Sequence, residues 1–167
     1  AIASQIHLEE AKLEIRPQMS GMLGFVFGGQ ENPDVIRRHL KASLKAYPKN
    51  RATYNTYIDW LESKIEYNQL TKAEREPFVN EQSIVMQGWS QALPNDVKPR
   101  LWLVDYWLEH ERTEEAKPHV EWLAGARQDN PRVRATPWKW QLLEAMRLCG
   151  RKSQLKQVPA HLEQAER

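Results

Sequence analysis

The sequence contains a single cysteine and no long apolar run. Cys149 cannot form an intramolecular disulfide, and one thiolate is too few for a cysteine-based zinc site. The longest apolar stretch, Met22–Phe27, is far shorter than the roughly 18 residues that a membrane-spanning helix needs. We therefore expect a soluble protein without a membrane segment. A reducing compartment such as the cytoplasm fits the cysteine content, and the periplasm stays open as an alternative.

A strong excess of charge of either sign is also absent. Lysine and arginine total 24 and aspartate and glutamate total 22, so the net charge of +2 indicates no particular partner. The basic residues are concentrated, however, in the segment 127–156. There they are opposed by only Asp129 and Glu144, which leaves a local charge of about +6. These basic residues are Arg127, Arg132, Arg134, Lys139, Arg147, Arg151, Lys152 and Lys156.

The residue patterns that carry catalysis, metal binding or phosphate binding are missing as well. The glycines within 21–29 do not form a phosphate loop, because the lysine and hydroxyl residues of that motif are absent. None of the five histidines forms a His-x-x-x-His pair. Glu115 and His119 are predicted to form a surface pair four residues apart on one helix, and Cys149 to be a buried structural thiol. We therefore expect no enzyme activity, no cofactor and no metal site.

Apolar residues recur at helical spacing along almost the whole chain. Ile36, Leu40 and Leu44, for example, lie four residues apart and would share one helix face. No stretch shows the alternation or the turn dipeptides of a β-hairpin, so the pattern predicts an all-α protein. The predicted helices span about 4–16, 19–29, 33–47, 51–67, 72–93, 98–111, 114–129, 137–149 and 159–165.

Several of these helices carry specific start signals. Asn32 precedes a proline and suits the N-cap position, while Thr71 and Glu74 have the spacing of a capping box. Thr136 also precedes a proline, Pro137. By the same argument, the last long helix is predicted to begin at this pair.

Three segments of the chain look alike, which indicates internal repeats. Each contains a proline followed 13 to 15 residues later by a glutamate, and the glutamates lie 47 and 35 residues apart. Periods in this range are typical of helical-repeat proteins, in which one helix pair buries its apolar stripe only by stacking on the next pair. The three segments are 42–62, 89–109 and 125–144.

The best-defined repeat unit ends at Pro131. It has Trp102, Leu108 and Glu109 on its first helix and the small residue Ala116 on its second. These positions match the half-a-tetratricopeptide pattern, so the chain resembles the tetratricopeptide superfamily. The resemblance implies an α-solenoid of antiparallel helix pairs in a right-handed superhelix. It also implies protein binding on the concave face, with RNA-processing assemblies as one context.

The repeats define one expected domain with two flanking segments. We expect a single helical-repeat domain with an N-terminal helix and glycine-rich apolar segment (1–31), repeat units (32–150) and a tail helix (151–167). The chain starts at Ala1 rather than at methionine. This start fits either a processed protein or a piece of a longer one, and we expect the second.

Seven tryptophans are an unusual number for this length. Trp102 and Trp107 would point about 140° apart on one helix, and Trp138 and Trp140 would diverge by about 160°. One indole of each pair is therefore expected at the surface, where it would anchor a partner protein or pack on an adjacent repeat. The tryptophans expected in the core between helix pairs are Trp60, Trp89 and Trp122.

The basic segment supplies the most specific functional hypothesis. Lys139 and Arg147 are eight residues apart, only about 80° around a helix, so they can share a face. We expect a protein-interaction scaffold whose concave face holds an acidic protein or peptide segment beside an exposed indole. An RNA-contacting domain that uses 127–156 is the alternative, and solvated charges on an outer helix face are the default explanation of such a segment. The predicted partner-binding residues are Arg134, Trp138, Lys139, Trp140, Arg147 and Arg151.

The small residue Ala116 gives the first testable prediction. If it lies at a close helix crossing, Ala116→Trp leaves no room for the neighbouring helix. Overpacking of this kind costs ~1–3 kcal/mol or more of unfolding free energy. Thermal denaturation followed by circular dichroism measures the loss, and a melting temperature within about a degree of wild type would contradict it.

Overall fold

The computed structural model describes residues 1–15, 32–67, 70–126, 131–149 and 159. These residues form α-helices joined by short connections and contain no β-strand, so the predicted all-α class is confirmed. The predicted helix 19–29 lies outside the described residues, and of the predicted helix 159–165 only Pro159 lies within them. The helices are α1 (Ile2–Ile15), α2 (Pro33–Ala46), α3 (Arg51–Tyr67), α4 (Lys72–Ala92), α5 (Val97–Glu109), α6 (Thr113–Ala126) and α7 (Pro131–Cys149).

The capping signals in the sequence perform their predicted roles. The Asn32 side chain accepts hydrogen bonds from the backbone amides of Asp34 and Val35, at 3.1 and 3.4 Å. The Thr71 hydroxyl accepts from the Glu74 amide, and the Glu74 carboxylate accepts from the Thr71 amide. These bonds satisfy amides that have no partner within the first helical turn.

The predicted start of the last long helix was wrong. α7 begins at Pro131, and Pro137 lies inside the helix. The additional turns bury Val133 and Thr136, and the Thr136 hydroxyl donates to the carbonyl oxygen of Arg132 at 2.8 Å. Burial of these side chains offsets the roughly 3 kcal/mol that an internal proline costs a helix. The sequence thus offers two proline start signals, at Pro131 and Pro137, and the helix begins at the earlier one.

The chain divides into two compact units, 1–94 and 95–167. In the first unit, α1 packs mainly on α2 and α3 packs mainly on α4, while α3 also contacts both α1 and α2. In the second unit, α5, α6 and α7 each contact the other two helices. Each unit therefore has its own helix packing.

A buried set of small polar side chains lies where α1, α2 and α3 meet. The Ser43 hydroxyl is 2.9 Å from the Ser4 hydroxyl and 2.7 Å from the Thr53 hydroxyl, and it donates to the Ser4 carbonyl oxygen at 2.8 Å. The Asn50 amide nitrogen donates to the Ser4 hydroxyl at 2.8 Å. Because Ser4, Ser43 and Thr53 are fully buried, these hydrogen bonds satisfy groups that water cannot reach.

This hydrogen-bonded set determines which face of α1 is buried. With Ser4 against α2, the buried apolar residues are Leu8 and Ala11. Ile6 and Leu13, two of the apolar residues that marked this helix in the sequence, are 53% and 62% exposed. The sequence therefore predicts the helix, but its apolar residues alone do not identify the face that packs.

An ion pair with additional hydrogen bonds ties α2, α3 and α4 together. The Arg37 guanidinium donates to both oxygens of Glu81, at 3.1 and 2.8 Å, and the Tyr57 hydroxyl donates to the same carboxylate at 2.7 Å. The guanidinium also lies over the rings of Trp60 and Phe78. Burial and the negative Glu81 partner raise the pKa of Tyr57, so its hydroxyl keeps the donated proton.

The tryptophans assigned to the core are placed as follows. Trp60 and Trp89 are buried in the first unit, as predicted, and Tyr54 stacks on Trp89 with ring centroids 5.4 Å apart. Trp122 is only half-buried and lies under the Arg100 guanidinium, 4.4 Å from its ring centroid. The prediction is therefore confirmed for two of the three indoles.

In the second unit, Ala116 on α6 is fully buried. Such burial agrees with the prediction from the sequence that Ala116 lies where two helices cross closely. Ala124 lies on the same helix and is exposed, so Ala124→Trp is the matched control for Ala116→Trp. No helix in the described ranges is both long and apolar enough to cross a membrane.

The Glu81 network gives the second testable prediction. Glu81→Ala removes a carboxylate that is only 17% exposed. Arg37 and Tyr57 then lose the acceptor to which both donate hydrogen bonds. Hydrogen bonds to charged groups are worth roughly 1.5–3 kcal/mol each, so we expect an unfolding free energy lower by about 2–4 kcal/mol. Urea denaturation measures the change. Glu76→Ala, an exposed position on the same helix, should change stability by less than about 0.5 kcal/mol.

Candidate functional site

An open cleft of about 340 Å³ lies between α5 and α7 of the second unit. We call it the α5–α7 cleft. Its walls mix apolar, hydroxyl and charged side chains. The lining residues are Leu101, Asp105, Arg132, Ala135, Thr136, Trp138 and Lys139.

The two indoles of α7 take opposite roles, as their angular separation predicts. Trp138 lines the cleft and is 51% exposed. Trp140 is 9% exposed, and its Nε1 donates to the carbonyl oxygen of Thr113 at 3.1 Å. Trp140, named with the partner-binding residues on the sequence alone, therefore belongs to the core of the second unit. Trp138 is the exposed indole of the pair.

The charges in the cleft are partly neutralised within the protein. Lys139 donates to one oxygen of Asp105 at 2.6 Å, and Arg132 donates to the other oxygen at 3.4 Å. All three side chains are at least 39% exposed, so solvent screens these pairs and each contributes little to stability. Two cations around one carboxylate leave the cleft with a single excess positive charge.

The remaining predicted site residues are only partly described. Arg134 is exposed and lies four residues before Trp138, so the two side chains emerge on one side of α7. Arg147 belongs to α7, but its side chain lies outside the described residues, as does the whole of Arg151. The structure thus brings Trp138 and Lys139 together at the cleft with Arg134 nearby.

A second candidate site lies in the first unit, where sequence reasoning found none. The Nδ1 atoms of His7 and His39 each lie 2.9 Å from the same carboxylate oxygen, Oε2 of Glu10. The hydrogen bond from His7 lowers the pKa of the Glu10 carboxyl, and positive charge on His39 acts in the same direction. We call these three residues the His7–Glu10–His39 cluster.

One part of this cluster is visible in the sequence. His7 and Glu10 are three residues apart, which places them on neighbouring positions of one helix surface. His39 follows 29 residues after Glu10 on a different helix, and only the packing of α1 on α2 brings it there. A search for His-x-x-Glu spacing would have found two of the three residues of the site.

The pair predicted between Glu115 and His119 is replaced by other contacts. Glu115 accepts two hydrogen bonds from the Arg112 guanidinium, at 2.8 and 2.6 Å. The Nδ1 atom of His119 lies 3.5 Å from the Arg100 guanidinium. Burial lowers the pKa of His119, and the positive charge of Arg100 lowers it further, so His119 favours its neutral form.

Comparison of the chain with protein-family models, curated proteins and solved structures gave no match. The candidate sites are therefore interpreted from their own geometry and chemistry.

The contrast between the two indoles of α7 gives the third testable prediction. Trp140→Ala empties a buried site and removes a hydrogen bond, so the unfolding free energy should fall by about 3–5 kcal/mol. Trp138→Ala removes an exposed ring and should cost less than about 1 kcal/mol. Chemical denaturation of both variants measures the difference. Equal destabilisation would show that Trp138 is a packing residue and not a surface anchor.

Proposed function

We propose that the protein is a helical-repeat interaction module that binds a segment of a partner protein in the α5–α7 cleft. The observation that carries this proposal is the half-exposed indole of Trp138 beside an open cleft. Large exposed apolar side chains are costly to leave in water, and tryptophan is among the residues that contribute most to protein interfaces. The module acts by binding, without a catalytic group of its own.

The helix packing of the second unit supports a solenoid. α5 contacts both its sequence neighbour α6 and the following helix α7. In a stack of helix pairs, the first helices of successive pairs lie side by side and line the concave face. With α5 and α7 as two such first helices, the α5–α7 cleft is part of that face. This assignment agrees with the resemblance to tetratricopeptide repeats.

The chemistry of the cleft favours an acidic partner segment. Arg132 and Lys139 share Asp105, and a carboxylate from the partner can bind the guanidinium in the same way. Arg134 adds a further positive charge on the Trp138 side of α7. We propose that an aromatic or aliphatic partner side chain contacts Trp138 while an adjacent partner carboxylate contacts the arginines. The absence of cysteine pairs makes the cytoplasm the proposed location.

Direct RNA binding is the second candidate function. The observation that favours it is an exposed indole close to exposed arginines, since bases stack on such rings while cations contact the phosphates. Asp105 opposes it, because pairing with Arg132 and Lys139 leaves the cleft only one excess positive charge, whereas a phosphate backbone carries one negative charge per nucleotide. The peptide is therefore our principal proposal.

Peptide display tests the proposal and is the fourth prediction. Selection of random peptides on the purified protein should enrich sequences that combine an aromatic residue with aspartate or glutamate. Fluorescence anisotropy with a selected peptide should show at least tenfold weaker binding to Trp138→Ala, because the apolar contact is lost. Arg134→Glu should weaken binding more at low salt than at high salt, since screening shortens the reach of exposed charges.

The matched control is Ile84→Ala, which removes an exposed apolar side chain from the first unit. It should leave peptide affinity unchanged. Peptides that bind Trp138→Ala as tightly as wild type would contradict the proposed site. A labelled single-stranded RNA whose binding is lost in Trp138→Ala and falls steeply with salt would favour the second candidate instead.

A further inference from the structure

We propose that the His7–Glu10–His39 cluster binds one Zn²⁺ ion between α1 and α2. The proposal concerns the first unit and is independent of the function proposed for the α5–α7 cleft. It assigns a metal site where the sequence alone indicated none.

The donor atoms are already gathered at one point. One ligand atom from each residue lies within 4.8 Å of the other two, and both histidine Nδ1 atoms lie 2.9 Å from Glu10 Oε2. Around tetrahedral zinc, with bonds of about 2.0–2.1 Å, neighbouring ligand atoms lie about 3.3 Å apart. An ion therefore enters after the nitrogens and the oxygen separate by a few tenths of an ångström.

The donor types match zinc. Two imidazole nitrogens and one carboxylate oxygen are a ligand set that Zn²⁺ accepts with a water as the fourth ligand. The side chains of His7, Glu10 and His39 are 37%, 42% and 22% exposed, so solvent reaches the site and can supply that water. Magnesium and calcium prefer sites made entirely of oxygen atoms.

The backbone that carries the ligands is held by the core. His7 and Glu10 are adjacent in sequence to the fully buried residues Leu8 and Ala11, and His39 is adjacent to the fully buried Leu40. The buried Ser4–Ser43 hydrogen bond fixes α1 against α2 a turn away from the cluster. The ligands therefore occupy rigid helices, which limits the entropy lost when the ion binds.

The bound ion would fasten α1 to α2. The present contacts share one carboxylate oxygen between two imidazole rings, and partly exposed pairs of this kind contribute little to stability. Zinc binds the Nδ1 lone pair of each ring, and a proton at that nitrogen moves to Nε2 or, from a charged ring, to solvent. The metal–ligand bonds then link both helices. The three ligands are brought together only in the folded chain. The ion therefore binds the folded state in preference to the unfolded state and should raise the melting temperature.

Cobalt(II) titration and zinc analysis of untagged protein test this inference, the fifth prediction. All proteins carry Cys149→Ser, so that the thiol cannot supply a ligand. The Cys149→Ser protein should retain about one zinc per chain after dialysis and melt at a higher temperature with zinc. With cobalt(II) it should show the visible absorption of a four-coordinate site. His7→Gln and His39→Gln should each lose the cobalt absorption and weaken zinc binding at least tenfold.

Two further variants keep the test decisive. Glu10→Gln preserves the size and hydrogen bonding of the side chain while weakening the oxygen ligand, so it should fold and still lose zinc. His110→Gln removes an exposed histidine from the second unit and should bind zinc like the Cys149→Ser protein. Absence of cobalt absorption in the Cys149→Ser protein would overturn the proposal. Retained binding in the folded His7→Gln and His39→Gln variants would overturn it equally.

Discussion

The buried contact between Ser4 and Ser43 is the constraint that positions α1 on α2 in the first unit. Two serines in the core allow α1 and α2 to approach closely, and their hydroxyls are satisfied by each other, by Thr53 and by Asn50. This contact fixes the rotation of α1 about its axis. His7 lies three residues from Ser4, about 60° around the helix, and this rotation places it and Glu10 near His39. The proposed metal site is thus a consequence of core packing.

The second unit shows the same relation between a core contact and a surface site. The Trp140 indole donates to the Thr113 carbonyl oxygen at the start of α6, which fixes the rotation of α7. Because Trp138 is two residues earlier, it must then point away from that core and towards solvent. Lys139 also lines the cleft and pairs there with Asp105. Core contacts of single side chains therefore position both candidate sites.

The two candidate sites differ in the kind of chemistry they support. The α5–α7 cleft is open, carries little excess charge and presents one large ring, which suits a reversible contact with a peptide. The His7–Glu10–His39 cluster gathers donor atoms at one point, which suits a single ion. The first site would serve recognition, and the second would stabilise the unit that contains it. The two proposals can fail separately, because they rest on different residues.

The sequence by itself determined the helical class and the caps at Asn32 and Thr71, because helical spacing and capping depend on residues close together in the chain. It also predicted that Trp138 and Trp140 would diverge, since that follows from helix geometry. It misplaced the start of α7, because Pro131 and Pro137 both suit a first helical position and the earlier start also buries Val133. Only the tertiary structure decided which indole is exposed, which face of α1 is buried, and that His39 meets His7 and Glu10. Those outcomes depend on contacts between helices, which no local pattern specifies.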